Sequence, residues 1–301
     1  MTQPLSHDRT FDPQYGRLVR VSPLIRRIVA HNPGPFTFTG SGTYVVGRGE
    51  VAVIDPGPAD EAHIEALLAA LGGERIGHIL ITHTHRDHCG GAGLLARRAG
   101  APTYGFAPHG SPAADGAKDA VEEGADLDFV PDIRLGDGEQ VKGPGWTIAA
   151  IHTPGHTANH LCFALKQEAA ALTGDHVMAW STTVIVPPEG DMEDYLASLE
   201  KLRARNFAIL WPTHGPPLRR PQAYIETLVA HRLAREDAIL QCLAEGVDRS
   251  PAIVERLYAD VPKALHAAAA RSVHAHLLRL VARGEARCDG PPRLGARYHP
   301  R

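Results

Sequence analysis

The 301-residue chain predicts an α/β fold of stacked layers, followed by a small C-terminal domain of helices and a closing hairpin. Three observations predict it. Short β-branched runs alternate with helix-period segments through residues 1–220. The pattern turns almost wholly helical from about Arg219. Two strand-like runs then follow the last helix. The length fits about two domains, which the composition shift divides into 1–220 and 221–301.

The elements follow in order. LVRV (18–21), LIRRIVA (24–30), GTYVVG (42–47) and VAVID (51–55) are strands punctuated by Gly and Pro. Ile64, Leu67, Leu68 and Leu71 recur at helical spacing within 59–71, and Gly72-Gly73 ends that helix. HILIT (78–82) is a short apolar strand, and a short helix over 91–100 closes at Gly100. Residues 107–130, rich in Gly, Ala, Pro and Asp, predict a surface excursion. WTIAAI (146–151), LCFAL (161–165), AALT (170–173) and AILW (208–211) are further strands, with a helix through Tyr195, Leu196, Leu199 and Leu202. Beyond 219 lies a long amphipathic helix, then one opened by Ser250 as N-cap with Pro251 first in the helix. A third runs from about Lys263 to Arg283, and EARCDGPPRLGARYHP gives two short strands. Helices followed by a hairpin is the order of a winged helix.

Composition excludes some functions. Hydrophobic residues at 44% and charged residues at 22% are ordinary for a globular protein with a sizeable core. A net charge of −3 provides no global attraction to nucleic acid or membrane. Residues 221–301 hold 12 Lys+Arg against 9 Asp+Glu, and residues 1–220 hold 19 against 25, a mild asymmetry without interleaved aromatics. Four dispersed cysteines argue against a disulfide framework and for a reducing compartment. No apolar run approaches the ~20 residues that span a bilayer, and the first residues resemble neither a secretory signal nor a transit peptide. The expected location is cytoplasmic, without membrane partners.

The chemistry concentrates in His83-Thr84-His85-Arg86-Asp87-His88, directly after an apolar strand. Alternate side chains leaving a strand can aim the same way, so His83 and His85 can share one metal, with Asp87 and His88 facing a second. Imidazole and carboxylate ligands suit zinc, iron or manganese. His156, Asp175 and His214 each follow an apolar strand at a turn tip, and such strand ends gather along one edge of layered α/β folds. Five imidazoles and two carboxylates crowded together would otherwise force protonation. Two divalent cations offset that crowding and lower the pKa of bound water to about 7. No GxSxG supplies an alternative nucleophile. Cys89, His266, His274 and His276 favour packing or solvated roles. His160 fits a supporting or a core position equally well, and His152 and His176 carry no assignment.

This pattern, with Asp55 in Ile54-Asp55-Pro56-Gly57, resembles the metallo-β-lactamase superfamily over about residues 16–220. The resemblance implies a four-layered αββα sandwich. It also implies two divalent ions, zinc first with Mn2+ or Fe2+ as alternatives, and a metal-bridging hydroxide as nucleophile. His83, His85 and His156 would hold the first ion, Asp87, His88 and His214 the second, and Asp175 would bridge them. Asp87 and Asp175 would also serve the reaction, and Asp55 would support from behind the ligands or act simply as a turn residue. The bridging aspartate is unlike true β-lactamases of the superfamily, His85 is unlike the flavodiiron branch, and 38 residues between Asp175 and His214 leave no room for a large nuclease insertion.

Ser181-Thr182-Thr183-Val184, Asp191-Met192-Glu193-Asp194-Tyr195-Leu196, Thr213-His214-Gly215-Pro216 and a following helix with His231-Arg232 resemble the β-lactamase-like-protein-2 family, which adds a C-terminal winged helix. That resemblance implies, first, endoribonuclease action on a single-stranded RNA phosphodiester. The alternative is hydrolysis of a small acyl substrate, as by thioesterases or glyoxalase II. From another class comes a metal-sensing winged-helix regulator that binds DNA. The C-terminal domain is then a nucleic-acid contact, a pocket cap or the interface of a homodimer.

Overall fold

A computed structural model describes residues 5–110 and 124–301. Residues 111–123 of the expected excursion lie outside the described residues. The first sheet carries β1 (Val19–Arg20), β2 (Ile25–Val29), β3 (Gly42–Arg48), β4 (Glu50–Ile54), β5 (Arg75–Leu80), β6 (Thr103–Gly105) and β7 (Ile133–Arg134), side by side in chain order. β1 to β4 pair antiparallel, and β4 to β7 pair parallel. The second sheet contains β8 (Gln140–Gly143), β9 (Trp146–His152), β10 (Leu161–Leu165), β11 (Ala170–Gly174) and β12 (Ile209–Pro212), in the spatial order β12-β11-β10-β9-β8.

Period-two alternation determines how these sheets stack. Tyr44 and Val46 of β3, Ala52 and Ile54 of β4, and Leu161, Phe163 and Leu165 of β10 meet in the core between the sheets. Val45, Val51 and Val53 pack on the outer side of the first sheet, and Cys162 and Ala164 on the outer side of the second. Strands apolar on both faces need cover on both. α1 (Glu61–Leu71), after the single turn α2 (Arg86–Cys89) also α3 (Ala92–Ala99), cover the first sheet through Ile64, Leu67, Leu71, Ala92 and Leu95. α4 (Met192–Arg203) and the first half of α5 (Pro221–Ala244) cover the second through Tyr195, Leu199, Leu202, Ile225 and Leu228. The order is helix, sheet, sheet, helix, as the resemblance implies.

The second half of α5 joins another core. Ile239, Cys242 and Leu243 pack against α6 (Ser250–Leu257), α7 (His266–Ala282) and the antiparallel pair β13 (Ala286–Cys288) and β14 (Tyr298–Pro300). Ile253, Val273, Leu277 and Tyr298 fill it. Among the described residues, no helix is long and apolar enough to cross a membrane.

Two local expectations are corrected. β5 stops at Leu80 rather than Thr82, because Thr82 N donates to the Asp55 side chain at 2.8 Å instead of to a neighbouring strand. Arg249, not Ser250, is the N-cap of α6; Ser250 already lies inside the helix, its buried Oγ without a hydrogen-bond partner among the described residues.

Candidate metal centre

Five strand ends deliver the polar residues to one edge of the sandwich. β4 ends at Asp55, β5 runs on to His83 and His85, β9 leads to His156, β11 to Asp175 and β12 to His214. His85 is the N-cap of α2, whose one turn swings Asp87 and His88 inward to full burial. The turn is gripped from behind, Gly57 N donating to His88 O at 3.1 Å and Gly91 N to Gly57 O at 2.9 Å. Gly90 permits that approach, since a Cβ there would sit 2.9 Å from Ala59 N and closer still to Arg86 O.

The structure brings all seven predicted residues together. One ring nitrogen each from His83, His85 and His156 lies within 4.8 Å of the other two. Asp87, His88 and His214 form a second such trio, and His83, His88 and Asp175 a third. Asp175 stands between them: its Oδ1 is 3.4 Å from His214 Nε2, and its Oδ2 is 3.4 Å from His88 Nε2 and 4.0 Å from His156 Nε2. Asp87 Oδ2 is 3.1 Å from His214 Nε2.

Acceptors behind the rings decide which nitrogen faces the centre. A carbonyl cannot donate, so His156 Nδ1–H donates to Val184 O at 2.8 Å and His214 Nδ1–H to Gly40 O at 3.2 Å. His88 Nδ1 lies 2.8 Å from Asp55 Oδ2. Each ring thereby directs its Nε2 inward, the arrangement by which outer partners orient metal-binding histidines. Asp55 also accepts from Thr82 N (2.8 Å), Thr82 Oγ1 (2.7 Å) and Thr213 Oγ1 (3.1 Å), and it adopts φ 48 to do so. It supports the site from behind, which sequence left undecided against a plain turn residue.

The donor set fits cations better than it fits itself. His88 Nε2 and Asp175 Oδ1 are buried without a hydrogen bond among the described residues. Burial, reinforced by the neighbouring imidazoles, holds His83 well below the ordinary histidine range and His85 at about 3, so both offer unprotonated nitrogens. Against the burial that would lower them, Asp87 and Asp175 push His88 well up and His214 to about 10. Burial would raise both carboxylates, yet His88 and His214 hold Asp87 at about 2 and Asp175 well below its usual range. Without metal, protons on His88 and His214 stand in for positive charge beside two carboxylates. Divalent cations supply that charge directly.

Other residues fall into place around the centre. Phe36, Thr37, Met178 and Val184 line the cavity together with His85, Asp87, His156, Asp175 and His214. His160, fully buried, accepts from Asp175 N through Nε2 at 3.3 Å. Cys89 packs in the core under the first sheet, and His274 and His276 are buried in the C-terminal domain. Sequence reasoning missed the carbonyls of Val184 and Gly40, which have no residue-type signature. It also missed Thr82 and Thr213, although each directly precedes a candidate ligand.

Comparison with known proteins shows the family and the fold. The model of the Metallo-beta-lactamase superfamily matches residues 37–214, and that of the Beta-lactamase associated winged helix domain matches residues 250–291. The chain belongs to the metallo-β-lactamase superfamily and carries the winged helix domain after it. It is 33% identical over 270 residues to the Beta-lactamase-like protein 2 homolog of Caenorhabditis elegans, covering 87% of this chain and 85% of that protein. It is 30% identical over 263 residues to an atrochrysone carboxyl ACP thioesterase of Aspergillus fumigatus, covering 80% and 76%. A Beta-lactamase domain protein from Burkholderia ambifaria superposes with a TM-score of 0.79 over 97% of this chain and 95% of that one, at 22% identity, and shows the shared fold.

Proposed function

We propose that this hydrolase cleaves an acyl thioester or related ester with two divalent metal ions, zinc in the first instance and Mn2+ or Fe2+ as alternatives. His83, His85 and His156 would hold one ion, Asp87, His88 and His214 the other, and Asp175 would reach both. Two such ions, when bound, supply Lewis acidity and lower the pKa of water to about 7. The protein's own residues do the rest. Asp55 and the Val184 and Gly40 carbonyls hold the rings in register. Asp87, kept ionised, presents Oδ2 to orient a water proton. Phe36, Met178 and Val184 restrict solvent and pack against an acyl group.

The observation that carries the substrate class is the cavity lining. Among the described residues it contains no Lys or Arg to follow a polyanionic backbone beyond the ions, while apolar side chains that suit an acyl group flank the carboxylates. The thioesterase named among the relatives supports the same class. The single-stranded RNA expectation finds no support in either, and a purely regulatory domain would not need all seven ligand-type residues in place. We take residues 220/221 as the division in chain order, with the first half of α5 still packed on the first domain, and free thiols at all four cysteines support a cytoplasmic location.

The test is a parallel assay of zinc- and manganese-loaded protein on acyl-thioesters and on a single-stranded oligoribonucleotide. Chelator-sensitive thioester turnover without RNA cleavage is expected. RNA cleavage without thioester turnover would overturn the substrate class.

A further inference from the structure

The cavity wall contributed by the segment between β11 and α4 is held from outside by the C-terminal helices. Tyr224 of α5 donates its hydroxyl to Met178 O at 2.8 Å. Arg232, two turns further along α5, donates Nη2 to Thr183 O. Ile185 N meets Ser272 Oγ of α7 at 3.5 Å. Between the last two anchors lies Val184, whose carbonyl receives His156 Nδ1–H and whose side chain lines the cavity. The Thr183 hydroxyl donates to Asp175 O at 2.7 Å, so Thr183 connects Arg232 to Asp175 directly and to His156 through the adjoining Val184 carbonyl.

Packing alone does not account for an arginine here. Arg232 is 4% exposed, and its Nε has no hydrogen-bond partner among the described residues. Burying a cation is costly, and an apolar residue of like volume usually serves stability as well or better. The guanidinium also lies over the Tyr195 ring at 5.2 Å, and Tyr195 in turn donates to His176 O at 3.1 Å, next to Asp175. The same side chain thus braces both flanks of the segment.

We propose that Arg232 is a positioning residue of the metal centre: by clamping Thr183 it sets the Val184 carbonyl, and so the direction in which His156 offers its inward nitrogen. The C-terminal domain thereby completes the His83–His85–His156 group without contributing a ligand. The inference rests on the reading of His156 as a ligand.

The experiment measures the affinity of each metal ion by competition with a chromophoric chelator, in the full-length parent, Arg232→Met, Arg232→Lys and Ser272→Ala. Removing outer partners of ligating histidines weakens metal binding about 10–100-fold. Arg232→Met is expected to weaken one of the two ions by that factor and leave the other unchanged, to alter the visible spectrum of the cobalt-loaded protein, and to lower kcat more than it raises KM. Arg232→Lys should restore part of the affinity. Folded Arg232→Met that binds both ions as the parent does would overturn the inference. Should Arg232→Met not fold, Ser272→Ala decides: a several-fold loss for the same ion supports the clamp, and parental affinity overturns it. A parent that takes up fewer than two ions overturns the two-ion reading as well, whereas an unaltered variant beside a two-ion parent overturns this inference alone.

Discussion

Asp55 accepts four hydrogen bonds, and one of them comes from a ring that must present its other nitrogen to a cation. Asparagine in its place would offer an NH2 where His88 now finds an acceptor, so the imidazole could meet it in the wrong tautomer. Asp55→Asn should therefore weaken the ion held by Asp87, His88 and His214 by about 10–100-fold, measured by chelator competition. Parental affinity would show that Asp55 only shapes its turn. Asp175→Ala tests the centre more severely, because its two oxygens face both trios. It should lose the second ion and nearly all turnover; two ions per chain by elemental analysis would refute the bridging role. At this scale the sequence was legible where ligands cluster, as in His83 to His88, and by combination at Asp175 and His214. It was silent on Val184 O and Gly40 O, since every residue carries a carbonyl and only the fold selects which one a histidine meets. Arg232 was visible only as part of a resemblance, because an arginine inside an amphipathic helix looks like any solvated one.

Strands and helices were legible to the extent that burial leaves a period. β3, β4, β9 and β10 are long and apolar on both faces, and they lie where their apolar runs predict. β6, β7 and β8 went unread because strands of two to four residues, with partly exposed side chains, are too short to show alternation. Between elements, close approach substitutes for pattern. Gly155 has φ 134, and a Cβ on it would stand 2.3 Å from Tyr195 Cα. The backbone of α4 cannot yield as a side chain would. Gly155→Ala should thus push the first turn of α4 away from the His156 turn and cost about 3 kcal/mol or more. Urea unfolding checks this, and a loss below about 1 kcal/mol would mean that the turn reshapes freely.

Among the described residues, α5 joins the sandwich to the C-terminal core, with Ile225 and Leu228 packed on the former and Ile239 and Leu243 in the latter. The order of helices and hairpin showed the C-terminal core in the sequence. The sharing of α5 did not show there, because its apolar positions face different partners along its length. Polar contacts reinforce the join: His276 Nδ1 of α7 lies 2.9 Å from Glu236 Oε1 of α5, and Arg279 of α7 pairs with Glu236 and with Glu193 on α4.

Buried neutral histidines on both sides of that join make the folded state sensitive to acid. Burial lowers His63 to about 4 in the first domain, although Asp60 opposes it. Burial with Arg232 and Arg235 does the same for His231 on α5, and burial alone for His274 on α7. Unfolded, each returns to an ordinary value near 6.5. Unfolding therefore takes up protons between about pH 6.5 and pH 4, so the contribution of these groups is complete above 6.5 and declines as the pH falls through that window. The slope is at most about 1.4 kcal/mol per pH unit for each proton taken up. Because the ligand histidines also titrate, the decisive comparison is differential. His274→Gln keeps a polar partner for the Tyr298 hydroxyl, which donates to Arg293 O and lies 3.2 Å from His274 Nδ1, but removes one titrating ring. Stability measured by urea unfolding across pH 4–7 should fall less steeply in this variant, by up to one proton. Equal slopes would mean that His274 is solvated and titrates in the folded protein much as it does in the unfolded chain.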